Sequence, residues 1–283
     1  MADERPAALD VLAPGYRPLF DRARGVFGAD HRVRALWLSG SLARGVADAA
    51  SDLDLLIAVR DEDCQAFAAS WPDALAAITP TVVAQPVPSL PGSFYSVTPT
   101  GERLDVVMEA AGAVPTSQFR YRLPVFDRDG LTALVPAPAP EPGPDHDRIA
   151  RLVEEFFRQQ FNLPAVIVRE DWLLGVIAVE QIHMLLYQLF VAANAPLPPT
   201  GVKQWSAKLT PGQRRLLEQL PVPQPTEASV LAARAAAAAA FVRSARPRAE
   251  RCGVAWPADL ERAASAFLAR ELGIVPTEPL SDG

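Results

Sequence analysis

Asp52 and Asp54 stand one residue apart at the start of an apolar run, Leu53-Asp54-Leu55-Leu56-Ile57-Ala58-Val59. On a strand, successive side chains alternate faces, so the two aspartates project to one side while Leu53 and Leu55 turn into a core. Carboxylates this close raise one another's pKa unless a cation lies between them. Packing gives an apolar strand no reason to carry both, and the pair reads as half of a divalent-metal site. Upstream, a second apolar stretch, Leu36-Trp37-Leu38, ends in Ser39-Gly40-Ser41. Gly40 lets the backbone approach a ligand, and Ser41 offers a hydroxyl and an N–H at the expected start of a helix, where free N–H groups attract phosphate oxygens. Arg44 lies one turn further on, its guanidinium in reach of the same anion. A phosphate binder and a metal binder on adjacent strands describe a nucleoside triphosphate site.

This arrangement resembles the nucleotidyltransferase superfamily typified by DNA polymerase beta. It is more closely similar to the small bacterial antibiotic nucleotidyltransferases that act on aminoglycosides or lincosamides. The family pattern is an apolar strand, Gly-Ser, a short spacer, then Asp-x-Asp inside a second apolar strand. Gly40-Ser41, Arg44-Gly45 and Asp52-Leu53-Asp54 carry the likeness, and the rest of the chain supports it in outline. The resemblance implies that Gly40, Ser41 and Arg44 hold the triphosphate of ATP, and that Asp52 and Asp54 hold magnesium, with two ions in all. It also implies a third carboxylate on a neighbouring strand. In the strand candidate 102–109, Leu104, Val106 and Met108 alternate with Arg103, Asp105, Val107 and Glu109. Asp105 stands in the family's position as metal ligand and catalytic residue; Glu109 shares its face and is the substitute. A solvated strand face is the competing reading for both.

The elements that would position these groups follow from periodicity and breakers. A helix over 16–28 precedes the first strand. Asp61-Glu62-Asp63 opens another, carrying Phe67, Trp71 and Leu75 on one side until Pro80. Residues 81–87, 93–97 and 121–126 read as further strands. The run Val135-Pro136-Ala137-Pro138-Ala139-Pro140-Glu141-Pro142-Gly143-Pro144 can be neither helix nor ladder strand and reads as a stiff linker. Beyond it the pattern is helical, over 145–162, 170–193, 211–220, 227–245 and 257–273, ending in an acidic tail. The alanine run Ala235–Ala240 favours close helix packing. The expected fold class is α+β: a polymerase-beta-like nucleotidyltransferase domain with a mixed sheet over 1–134, a linker over 135–144, and an all-helical, substrate-binding domain over 145–283.

Composition bounds the partners. The 283 residues suffice for about two domains, and a net charge of −6 disfavours nucleic acid, which calls for a basic face. An acidic surface suits a cationic substrate instead. Cys64 and Cys252 form no C-x-x-C pair, and His31, His146 and His183 have no metal-ligand spacing. No signal-type stretch follows the N-terminus, and the apolar runs 172–179 and 235–242 are too short for a bilayer. The chain is expected in the cytoplasm, away from membranes.

The family outline adds that helical-domain residues grip the acceptor and that a lysine there often touches the nucleotide. Lys203, between helices, offers one, with a solvated lysine as the plain alternative. The attacking hydroxyl needs a carboxylate base, and Asp105, Glu109, Glu154, Glu155 and Glu180 remain open. Glu180 is notable because it interrupts an apolar helix, where an unpaired acid is costly. The expected activity is magnesium-dependent transfer of AMP from ATP to a hydroxyl of a small, cationic, aminoglycoside-type acceptor, releasing pyrophosphate. The rivals are a protein-modifying, antitoxin-like adenylyltransferase and a non-catalytic nucleotide-binding module.

Overall fold

The computed structural model describes residues 5–201 and 203–273. The charged first residues and the acidic tail read from the sequence lie outside them. The chain divides into two compact units: Met1–Pro140 with Pro199–Lys203, and Glu141–Pro198 with Gln204–Gly283.

The first unit is built on a six-stranded mixed sheet in the order β3-β4-β5-β2-β1-β6. Its strands are β1 (Val33–Leu38), β2 (Leu53–Val59), β3 (Val83–Pro86), β4 (Ser93–Val97), β5 (Arg103–Ala110) and β6 (Leu123–Asp127). β2 and β5 run parallel, Leu53 to Val59 registered against Leu104 to Ala110; the other neighbours are antiparallel. Alternation sorts the two faces. Leu36, Leu38, Leu53, Leu55, Ile57, Val59, Leu104 and Val106 are fully buried with Phe20 and Phe27 of α1 (Tyr16–Ala29). Phe67 and Trp71 join the same core. The expected helix after Asp61 is in fact a single 3-10 turn, Asp61–Asp63, then α3 (Cys64–Ala69) and α4 (Trp71–Ile78). The break at Ser70 places Pro72 in the first turn of α4, where its missing N–H costs nothing.

The opposite face has a thinner cover. Ala35, Trp37, Leu56 and Ala58 pack there with Val114 and Leu131 from the 3-10 turns Ala111–Thr116 and Leu131–Leu134. This cover lies over the Ala58 end of β2. At the Leu53 end of the same face stand Asp54 and, one strand over, Asp105.

The second unit is helical: α5 (His146–Gln160), α6 (Leu163–Val168), α7 (Trp172–Asn194), α8 (Pro211–Glu218), α9 (Glu227–Arg251) and α10 (Ala258–Leu272). Side chains cap the starts: Asp145 accepts from Arg148 N–H at 2.9 Å, and Asp171 from Leu174 N–H at 3.1 Å. α8 opens with a reciprocal Thr210–Gln213 box. The alanines do what their size allows. Ala233, Ala237 and Ala240 of α9 are buried, and α7 comes close enough that a Cβ on Gly175 would lie 2.7 Å from Val230. Phe156 and Phe241 stack at 4.1 Å in the core.

α6 was not visible as a helix in the sequence, and α9 runs six residues past the expected end at 245, through Pro247. The Arg248 guanidinium donates to Ser244 O in that turn at 2.7 Å, while the ladder bond that Pro247 cannot make is the one to Arg243 O. The length of these helices also corrects the exclusion of a span. By length and composition α7 and α9 could each cross a bilayer. Val179, Ile182, Leu186, Leu189 and Phe190 of α7, with Ala237 and Phe241 of α9, are nonetheless buried within the unit.

Candidate active site

β1 ends at Leu38, and the chain turns through Ser39 into α2 (Gly40–Ala43), a single helical turn. Ser39 N–H donates to Asp54 O at 2.9 Å, which fixes the turn against the start of β2. Gly40 has φ +56°, and a Cβ there would stand 1.8 Å from Asp54 Oδ2. Only glycine fits: an L-residue is strained at that φ, and any side chain would occupy the carboxylate's place. Gly40 thus seats Asp54 as much as it opens room for a ligand. Because α2 is one turn long, it offers an anion its free N–H groups rather than a long helix dipole. Arg44 follows directly. Its Nε is buried without a hydrogen-bond partner among the described residues.

β2 begins at Leu53, so Asp52 sits just before the strand rather than within it. Asp54 and Asp105 are direct register partners across the parallel β2–β5 pair. Burial pushes the Asp54 carboxyl up to about 6; Asp105 and then Asp52 add to the rise, against Arg44 and Lys203. Asp105 is raised as well, first by burial and then by Asp52, with Lys203 and Arg103 opposing. All three carboxylates therefore lie within each other's field, and so do Arg44, Lys203 and Arg103.

Lys203 and Arg103 engage Asp52 directly. Lys203 Nζ donates to Asp52 Oδ2, and the Arg103 guanidinium forms an ion pair with Asp52 Oδ1. The second contact lacks hydrogen-bond geometry, which leaves Oδ1 buried without a hydrogen bond. Among the described residues no three His, Cys, Asp or Glu side chains are grouped to hold a metal ion as they stand. In chemistry the donor set does fit a divalent cation. It supplies three hard oxygen donors, and their crowding, read in the raised Asp54 pKa, is what a cation relieves. Asp52 is the member committed elsewhere.

Of the other proposed bases, Glu109 belongs to the first unit and Glu154, Glu155 and Glu180 to the second. Glu109 shares Asp105's face but pairs with the Arg122 guanidinium, with side chains 11% and 1% exposed respectively. Arg122 also donates to Phe119 O at 2.6 Å and lies 4.6 Å over the Trp37 ring. That makes Glu109 a buried structural partner, a role the sequence did not reveal. Glu180 is exposed, with His183 Nδ1 3.8 Å away, so the expected cost of an acid in an apolar helix does not arise. Glu154 and Glu155 line a cavity of about 840 Å³ in the second unit with Arg151, Arg158, Phe161 and Trp256. Glu155 there accepts from both Arg158 and Gln159. Among the described residues, Arg103 is a charged neighbour of the carboxylates that the sequence reading gave no role. Its place on the Asp105 face of β5 was the available signal.

Residues 21–85 match the family model of the nucleotidyltransferase domain. No curated protein sequence matches the chain. Among solved structures, an aminoglycoside 6-adenyltransferase from Bacillus subtilis aligns over 89% of this chain and 95% of its own, at 12% identity and a TM-score of 0.40. A nucleotidyltransferase-like protein from Exiguobacterium sibiricum aligns over 89% and 88%, at 16% identity and a TM-score of 0.35. Neither likeness is close enough to carry substrates or residue roles across. The matched segment spans the Gly40-Ser41 turn and the Asp52–Asp54 pair, and over those residues the chain is similar to a nucleotidyltransferase domain.

Proposed function

We propose that the protein transfers AMP from ATP to a hydroxyl of a small cationic acceptor of the aminoglycoside type, with magnesium, in the cytoplasm. The observation that carries this reading is the register of Asp54 against Asp105, with the Gly40 turn packed on Asp54. It sets a carboxylate pair beside a backbone turn suited to a triphosphate. The acidic balance of the chain, net −6, favours a cationic acceptor over a polyanion.

In the reaction the acceptor oxygen bonds to the α-phosphorus and the α–β phosphoanhydride bond breaks, its electron pair leaving with pyrophosphate. The hydroxyl proton passes to a carboxylate. Asp105 suits that role by position, facing Asp54 across the β2–β5 register. Ser41 and the N–H groups of α2 receive the phosphate oxygens, and Arg44, with an unused buried Nε, adds charge-assisted donors. Lys203 stands beside Asp52 to do the same. Asp52, Asp54 and Asp105 would hold two magnesium ions, which when bound acidify the acceptor hydroxyl and neutralise the triphosphate. The helical region, 145–283, supplies the acceptor site.

The test is incubation of the protein with α-labelled ATP and magnesium against aminoglycosides and lincosamides, with Asp54→Asn as the blank. Label on a small acceptor, absent in the variant, supports the reading. Label on a protein band points to the protein-modifying alternative, and nucleotide binding without transfer to any acceptor points to a binding module. Either result overturns the proposal.

A further inference from the structure

We propose that Asp52 is a shared ligand: Lys203 and Arg103 pair with its two oxygens, a divalent cation competes with them there, and the released side chains then take the polyphosphate beside it. This rests on reading the three carboxylates as a metal site. Lys203 Nζ contacts Oδ2 and the Arg103 guanidinium contacts Oδ1, so an ion binding either oxygen competes with a cation already there. The exposures assign the mobile partners. The Asp52 side chain is 11% exposed, against 42% for Arg103 and 64% for Lys203. A largely buried carboxylate is therefore clasped by two long, solvated stems that can withdraw without disturbing the core.

Ion pairs whose cation remains in water hold weakly, and the Arg103 contact lacks even a hydrogen bond. A hard divalent ion, by contrast, binds carboxylate oxygens directly with twice the charge. Both cations also act on Asp105, and Lys203 on Asp54, so each faces the whole carboxylate cluster. Displaced by only a few ångströms, they still border the place where the metal's anionic partner sits. Arg103 projects from β5, and Lys203 comes from Pro199–Lys203, a short segment that packs with the first unit although the chain on both sides belongs to the second. Two elements remote in sequence thus bring positive charge to one oxygen pair.

The consequence is a coupling: metal and polyphosphate favour each other's binding, because the same two side chains oppose the first and reward the second. The test uses Mn²⁺ alone, followed by electron paramagnetic resonance, and then inorganic tripolyphosphate titrated into protein saturated with Mn²⁺. Lys203→Met and Arg103→Met should each tighten Mn²⁺ by about two- to fivefold, the scale of one lost competing ion pair. Each should weaken tripolyphosphate by about tenfold, the scale of one lost charge-assisted contact. Arg60→Met, removing the same charge from an exposed site elsewhere in the unit, controls for net charge. Mn²⁺ affinities equal across wild type and all three variants would overturn the shared ligand. Tripolyphosphate affinity unchanged in both Asp52-clasp variants would overturn the release. Failure of Asp54→Asn to weaken Mn²⁺ would instead overturn the underlying metal-site reading, and is distinguishable from both.

Discussion

Glu109 separates a catalytic carboxylate from a structural one. Its partner Arg122 has a side chain 1% exposed, and Glu109 itself is 11% exposed. Arg122 is held by Phe119 O at 2.6 Å and by the Trp37 ring at 4.6 Å, while Trp37 Nε1 donates to Thr132 at 2.8 Å. One Arg122 nitrogen, Nη2, is already buried without a partner. Glu109→Ala removes the remaining anion and leaves a buried, uncompensated guanidinium, a loss of about 3–5 kcal/mol. Glu109→Gln keeps an acceptor but loses the charge, and should cost about 1–3 kcal/mol. A solvated strand carboxylate would change stability by under about 0.5 kcal/mol either way. Urea denaturation followed by tryptophan fluorescence measures this, Trp37 over the guanidinium being one of the five tryptophans that contribute. The double variant Glu109→Met/Arg122→Met should recover most of the loss, because the pair is costly to bury and costlier to break. Activity per folded molecule in Glu109→Gln should stay near wild type. A Glu109→Ala variant within about 1 kcal/mol of wild type would refute the structural assignment, as would a fully folded Glu109→Gln with no turnover.

Four further outcomes follow from the site. Gly40→Ala should abolish transfer and weaken the first unit by about 1–3 kcal/mol, since its Cβ meets Asp54 at 1.8 Å and its φ is +56°; wild-type kinetics would contradict the seating of Asp54. Asp54→Asn should abolish transfer yet raise stability in chelator at pH 7. A carboxyl raised from 3.8 to about 6 lets the folded state bind the proton more tightly than the unfolded chain, so wild-type stability falls as pH rises from about 4 through 6, by about 3 kcal/mol, and the variant's gain should vanish toward pH 4 in thermal melts. Asp105→Asn should lower kcat far more than it raises the acceptor KM, which steady-state kinetics separates from a surface role that would change neither. Arg44→Ala should weaken magnesium-ATP binding by about 1–3 kcal/mol in calorimetry, and unchanged affinity would return Arg44 to a packing role.

The local features of the site were legible because local chemistry determines them. A period of two assigns Leu53, Leu55, Ile57 and Val59 to one face and Asp54 to the other, and these leucines and their neighbours are buried as that period requires. A glycine before a serine at the end of an apolar strand marks a turn, and the turn is there, with Gly40 at positive φ. Helix starts with Asp145, Asp171 and Thr210 announce themselves by their caps. Breakers were less reliable. The helix expected over 227–245 continues through Pro247 to Arg251, and α6 is too short to show a period.

By itself, then, the sequence determined the strands, the faces, the Gly40-Ser41 turn and the Asp52–Asp54 pair, because each depends on neighbours a few residues away. Tertiary structure alone decided which residue meets which. Alternation places Asp105 and Glu109 on one face of β5 and cannot say that one lies opposite Asp54 and the other pairs with buried Arg122. Nor can it say that Glu180 is exposed, or that Lys203 reaches Asp52 across 151 residues of chain. Depth along a strand, register between strands and ion pairs between distant segments are set by how elements close on one another. A carboxylate's chemistry depends on those partners and that burial, and the residue type is the same in every case.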